Sequence, residues 1–123
     1  MICGIGIDLC DIERMKKASA QRGFCERVFS PEEIAYANSK AEPAAHFASA
    51  FAAREALAKA GGWGLAALGL KFCSVSRTET GPKFIFSDDF SIRLKQTGVS
   101  SVFLSLTHDG GAAAAVVVLE SEK

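Results

Sequence analysis

The stretch from Phe51 to Ala60, FAAREALAKA, limits what this chain can fold into more than any other segment. Alanine and large apolar residues fill most of it. A helix of that composition is apolar around most of its circumference and has to be buried on several sides. Yet it carries Arg54, Glu55 and Lys59. Glu55 and Lys59 are four apart, which puts them on one helix face with Cβ atoms about 5–6 Å apart. An unpaired charge in such a place is very costly, so both need partners. Two readings are open. Glu55 and Lys59 form a structural ion pair, or Glu55 holds a hard metal ion while Lys59 neutralises a phosphate. The second reading needs another acidic ligand elsewhere in the chain.

The first strand supplies a candidate. Residues 2–9, ICGIGIDL, alternate so that Cys3, Ile5, Ile7 and Leu9 share one face, and Gly4, Gly6 and Asp8 the other. Two glycines beside an acid mark a close approach to the backbone, by a ligand or by a packed helix. A dinucleotide fingerprint is excluded, because its third glycine position is Leu9 and no βαβ pattern follows.

Other start and stop signals follow in order. Asp11 caps a short helix from about Ile12, with Glu13, Arg14, Lys16 and Lys17 on its exposed side. Phe24 to Phe29 reads as a helical turn. Ser30-Pro31-Glu32-Glu33 is a capping-box start for a helix ending near Asn38 or Ser39. Pro43 opens the long helix, which runs to about Ala60. Gly61, Gly62 and Gly64 then make a loop around Trp63, which either contacts a ligand or subunit or anchors the loop by packing. Leu70 to Arg77 and Lys83 to Phe86 read as a hairpin across a glycine-proline turn. Ser87 or Asp88 caps a helix ending before Gly98. Ser101 to Thr107 is a strand, His108-Asp109-Gly110-Gly111 a turn, and Ala112 to Glu120 a very apolar last strand. This order predicts an α+β fold in which the long buried helix covers an antiparallel sheet.

With 123 residues, 49% of them hydrophobic, the chain is expected to form one domain over residues 1–123. Its 14 basic and 14 acidic residues cancel, so no general nucleic-acid-binding surface is indicated. Cys3, Cys10, Cys25 and Cys73 lack zinc-site spacing and read as reduced, mostly buried thiols of a cytoplasmic protein. No apolar run reaches the roughly 20 residues of a membrane span. Met1 leads into strand without a basic leader, so no signal peptide is expected.

Asp8, Glu55 with Lys59, and His108 together outline a phosphoryl-transfer site. Mg²⁺ is usually held by one or two carboxylates plus substrate phosphates. Lysine and histidine add donors for phosphate. In this setting Gly4-Ile5-Gly6-Ile7-Asp8-Leu9 with Ile12 and Arg14, the Phe51–Ala60 segment, and Ser105-Leu106-Thr107-His108 before the last strand resemble three motifs of the holo-acyl-carrier-protein synthases. These belong to the 4′-phosphopantetheinyl transferase superfamily. The resemblance covers essentially the whole chain and implies the fold and single-domain, homotrimeric form of that family, with sites at subunit interfaces.

It implies transfer of the 4′-phosphopantetheine group from coenzyme A to a serine of apo acyl carrier protein, a step that serves fatty acid biosynthesis. Asp8 and Glu55 would ligate Mg²⁺, and Lys59 would contact phosphate. Thr107 and His108 would help position coenzyme A. The general base would be Glu55, Asp8 or a water on the metal. Arg14, Lys16, Lys17 and Arg22 would form the docking face for the acidic carrier. Three positions depart from the family pattern. Arg54 stands where lysine is usual, Ala50 where many members have arginine, and Gly81-Pro82-Lys83 reverses the last two residues of a glycine-basic-proline turn. The other reading is a non-enzymatic trimeric binding module with a structural Glu55–Lys59 pair.

Overall fold

The computed structural model describes residues 1–122. Strand β1 (Ile2–Asp11) leads into helices α1 (Ile12–Ser19), α2 (Phe24–Val28), α3 (Pro31–Asn38) and the long α4 (Pro43–Gly61). A four-residue helix, α5 (Leu65–Leu68), and a 3₁₀ turn (Leu70–Phe72) follow. Hairpin β2 (Cys73–Thr78) and β3 (Gly81–Phe86), helix α6 (Asp88–Gln96), and strands β4 (Val99–Asp109) and β5 (Ala112–Ser121) complete the chain. The α+β expectation therefore holds. β1, β5 and β4 form an antiparallel sheet with β5 in the middle, and β2–β3 form a separate two-stranded sheet.

Local chemistry sets the boundaries. Asp11 Oδ1 accepts from the Arg14 amide at 2.8 Å and starts α1. Ser30 and Glu33 make both halves of the capping box that opens α3. Strands β1, β3 and β4 are each two residues or more longer than expected, and two further boundaries differ in kind. The Leu70 end of the anticipated strand is a 3₁₀ turn, and β2 begins at Cys73. The anticipated four-residue turn at His108 is tighter: β4 continues through Asp109, and Gly110 and Gly111, with φ of 59° and 82°, make the turn alone. Positive φ at both central residues matches the twist of the paired strands.

Helix α4 is the centre of the core. Ala48, Ala52, Ala53, Ala56 and Leu57 are fully buried, and it lies across β1 and β5. Burying one leucine such as Leu57 contributes about 1.5–3 kcal/mol. The small residues let helix and sheet approach closely. A Cβ on Gly6 would overlap the Ala56 carbonyl, and one on Gly4 the Ala60 carbonyl. The two glycines of the first strand thus serve helix packing. Trp63 serves packing too: its ring meets Phe90 edge-on at 5.1 Å and covers Gly61.

The other face of the three-stranded sheet is apolar and uncovered. Ile5, Val118 and Phe103 form one row across the strands, and Ile7 and Val116 belong to the next. Ile5 and Ile7 are each 63% exposed. All four cysteines are free, but the expectation of mostly buried thiols is too strong: Cys73 is buried, Cys10 and Cys25 are half-buried, and Cys3 is exposed. Among the described residues no helix is long and apolar enough to cross a membrane.

Candidate active site

The packing of β1 under α4 fixes where their charged residues meet. Because Gly4 sits under Ala60 and Gly6 under Ala56, the strand and helix run antiparallel. Asp8 therefore emerges beside the flank of α4 that carries Glu55 and Lys59. Lys59 Nζ donates to Asp8 Oδ1 at 2.7 Å and to the Ile7 carbonyl at 3.3 Å. The lysine side chain is 58% exposed and the aspartate's 11%. The ion pair anticipated between Glu55 and Lys59 is thus not the one formed.

Glu55 is half-buried beside this pair. Burial, and then the charge of Asp8, raise its carboxyl above the ordinary range, while Lys59 pulls the other way. The hydrogen bond to Asp8 and the same carboxylate's charge raise the Lys59 ammonium, which stays charged. Burial, followed by the charges of Glu55 and Asp8, pushes the Cys10 thiol up to about 11. At neutral pH it adds bulk but no charge.

A carboxylate whose ionisation is opposed by a second one beside it suits a hard divalent cation. Among the described residues, no three histidine, cysteine or acidic side chains gather into a ready-made metal cage. A pair of carboxylates that relies on substrate phosphates for the remaining ligands fits that observation.

His108 does not join the group. Asp8 and His108 both lie on the helix side of the sheet, but on β1 and β4, with β5 between them. Strand spacing puts such edge strands about 10 Å apart. The His108 ring meets His46 of α4 at 6.0 Å instead. Thr107, its neighbour, points to the uncovered face, in the row of Ala114 and Leu9. Concavities of about 520 and 410 Å³ open elsewhere, one beside Phe72, Phe90 and Arg93, the other between Arg22, Gly23 and Phe47. Neither is lined by Asp8, Glu55, Lys59, Thr107 or His108.

Comparison with known proteins settles the family. A family model described as the 4′-phosphopantetheinyl transferase superfamily matches residues 4–117. The chain belongs to that superfamily. The holo-[acyl-carrier-protein] synthase of Treponema denticola is 42% identical over 122 residues, covering 98% of this chain and 99% of that protein. The crystal structure of the synthase from Neisseria meningitidis has a TM-score of 0.88 at 31% identity, covering 98% of this chain and all of that one, 100%. The Helicobacter pylori synthase, solved in complex with coenzyme A, has a TM-score of 0.80 at 31% identity, covering 94% and 99%.

In this superfamily member, the charge most deeply buried is one the motif reading left unassigned. Arg54 has no exposed surface. Its guanidinium grips Glu33 with both forks, Nη1 donating to Oε2 at 2.8 Å and Nη2 to Oε1 at 2.6 Å. Nε donates to the Leu70 carbonyl at 2.7 Å, and Nη1 also to that of Ala50 at 3.1 Å. Glu33 accepts as well from the amides of Ser30 and Val75. The pair ties α3, α4 and the start of the hairpin together. Glu33 was visible in the sequence as a capping residue. Its second role follows from the rule that a buried charge needs a partner, applied to Arg54. The basic residues Arg14, Lys16, Lys17 and Arg22 are all exposed on or just after α1.

Proposed function

We propose that this chain transfers the 4′-phosphopantetheine group of coenzyme A to a serine hydroxyl of an apo acyl carrier protein. The products are the holo carrier and adenosine 3′,5′-bisphosphate. The observation that carries the reading is the meeting of Asp8, Glu55 and Lys59 where β1 passes under α4. Membership of the superfamily supplies the reaction, and the synthase relatives supply the substrate class.

Asp8 and Glu55 would hold Mg²⁺. When bound, the ion would offset charge on the coenzyme A pyrophosphate. Lys59 presents an exposed ammonium beside both carboxylates, in reach of a phosphate oxygen. Thr107 and His108 would position coenzyme A. The serine oxygen forms a bond to the β-phosphorus as its proton passes to the general base, which would be Glu55, Asp8 or a water held beside them. The bond from that phosphorus to the bridging oxygen breaks, and adenosine 3′,5′-bisphosphate leaves with the electron pair. The lysine stabilises charge that builds on the transferring group.

The working form would be a homotrimer. His108 sits across the sheet from Asp8, and an apolar sheet face stands uncovered. Apolar patches of that kind usually mark contact surfaces. Packing this face against other copies would let one copy's His108 complete another's Asp8–Glu55–Lys59 group. Residues 1–123 would act as a single transferase domain in the cytoplasm. Arg14, Lys16, Lys17 and Arg22 form an exposed basic surface, and Lys16 and Arg22 also line the groove of about 410 Å³ beside α1. An acidic carrier protein would dock there, steered by charge.

Intact mass spectrometry tests the reaction. An apo acyl carrier protein incubated with this protein, coenzyme A and Mg²⁺ should gain the mass of one phosphopantetheine group. A chelator should prevent the gain. No gain with several carriers, from folded protein that also fails to bind coenzyme A, would sink the proposal.

A further inference from the structure

Lys59 stands in the last turn of α4, and the chain after it is rich in glycine: Gly61, Gly62 and Gly64 follow in close order. Glycine gives a backbone its greatest freedom, so a helix end of this kind frays unless its last carbonyls are held. Here they are held. Gly62, with φ of 69°, turns the chain back on the helix. Its amide donates to the Lys59 carbonyl at 3.2 Å, and the Trp63 amide donates to the Ala58 carbonyl at 2.8 Å. These two bonds close the turn that carries the lysine.

The indole of Trp63 secures the same turn from outside. It lies on Gly61, where a Cβ would overlap the ring. It also meets Phe90 of α6, with ring centroids 5.1 Å apart and planes at 83°. Phe90 is buried and packs in turn on Phe72 at 4.9 Å and on Phe86 of β3 at 5.5 Å. The end of α4 is thus anchored to an aromatic group drawn from three other elements. On the sheet side, Gly4 of β1 lies against the Ala60 carbonyl. The turn is clamped between the strand and the indole.

Lys59 depends on that clamp. Its side chain is 58% exposed, and its ammonium is placed by hydrogen bonds to Asp8 and to the Ile7 carbonyl. Little along the length of the side chain fixes it, so the backbone turn sets where the ammonium can reach. We propose that Trp63 is a positioning residue for Lys59: its indole, seated on Gly61 and against Phe90, latches the last turn of α4 and so holds the ammonium beside Asp8. The role rests on the transferase reading above. It acts on kcat, through Lys59. The KM for the carrier protein is unaffected, because Lys59 is not part of the basic docking surface.

Two substitutions undo the latch by different routes. Trp63→Ala removes the ring, and Gly61→Ala puts a methyl group where the ring lies. Each is expected to lower kcat by about tenfold or more, as small displacements of a reacting group do, with the KM for the carrier unchanged. Trp63→Phe keeps a ring for Phe90 and should recover most of the loss. In a Lys59→Ala background the same two substitutions should cost less than about threefold, because residues that act through one another are not additive. Hydrogen exchange reads the latch without the reaction: the amides at positions 62 and 63 should exchange about tenfold faster in both variants than in wild type. Melting curves identify any variant that fails to fold, and Trp63→Leu, which keeps apolar bulk without a ring, replaces it. Equal losses with and without Lys59 overturn the role, as does an unchanged kcat or unchanged exchange. A wild type that transfers nothing overturns the transferase reading and the role with it, whereas variants that lose the latch and keep full transfer overturn the role alone.

Discussion

Lys59 Nζ donates to Asp8 at 2.7 Å and leaves Glu55, one helical turn before it, without an ion-pair partner among the described residues. The three charges are therefore not equivalent. Asp8 is satisfied by the lysine, whereas Glu55 is held half-buried beside a like charge. That imbalance is poor design for stability and suits a site that waits for a cation and a phosphate.

Replacing Lys59 removes the exposed ammonium with little effect on the core. Lys59→Ala is expected to lower kcat/KM for transfer by about 10²–10³, the usual loss of a group that stabilises developing charge. The melting temperature should stay close to wild type. Steady-state kinetics at saturating Mg²⁺ provide the check, and unchanged turnover with unchanged coenzyme A affinity would take Lys59 out of the site.

Glu55→Gln should nearly abolish transfer and leave the fold intact. Its effect on stability has a definite sign. The Glu55 carboxyl is raised above its ordinary value of 4.5, so its ionisation disfavours the folded state. The favourable contribution of the protonated form is present below the ordinary value and lost as pH rises through the raised one. The variant should therefore be more stable than wild type at neutral pH, with the gain vanishing as pH falls below about 4.5. Urea denaturation across that range measures it; a variant less stable at pH 7 would contradict the assignment.

Arg54→Ala is expected to act on stability and not on chemistry. It strands a buried Glu33 carboxylate, which costs about 3–5 kcal/mol. Arg54→Lys keeps the charge but loses the two-pronged grip, so it should fall between alanine and wild type. Chemical denaturation gives the stabilities. The turnover of the folded fraction should be unaltered in both.

Mixing two inactive variants tests whether sites are shared between copies. Asp8→Asn and His108→Ala should each be strongly impaired alone. After co-refolding, chains that pair one intact Asp8 with one intact His108 should restore roughly a quarter of wild-type activity in a symmetric ring. No recovery from a sample shown to contain mixed trimers would place all the groups of each site within one chain.

Much of the fold could be read because its signals are local. The capping box at Ser30 and Glu33, Pro43 at the start of α4, and the glycines after Ala60 each act within a few residues. The short helix α5 and the 3₁₀ turn carry no such signal, and their residues read as loop and strand. In the site, Asp8, Glu55 and Lys59 stood out because acids and a lysine in apolar surroundings need partners. Which charge pairs with which depends on how β1 slides under α4, a tertiary register the sequence does not print. Arg54 was hidden for the same reason, since its partner lies 21 residues away in another helix.

Gly4 and Gly6 lie against the carbonyls of Ala60 and Ala56. In a saturation-mutagenesis screen scored by activity alone, these glycines would be almost as intolerant as Asp8 and Glu55. Yet neither would touch a substrate. Their intolerance would record the separation between two layers of the fold, transmitted to the carboxylates mounted on each. A screen that also scores abundance would tell these spacing residues apart from the reactive ones.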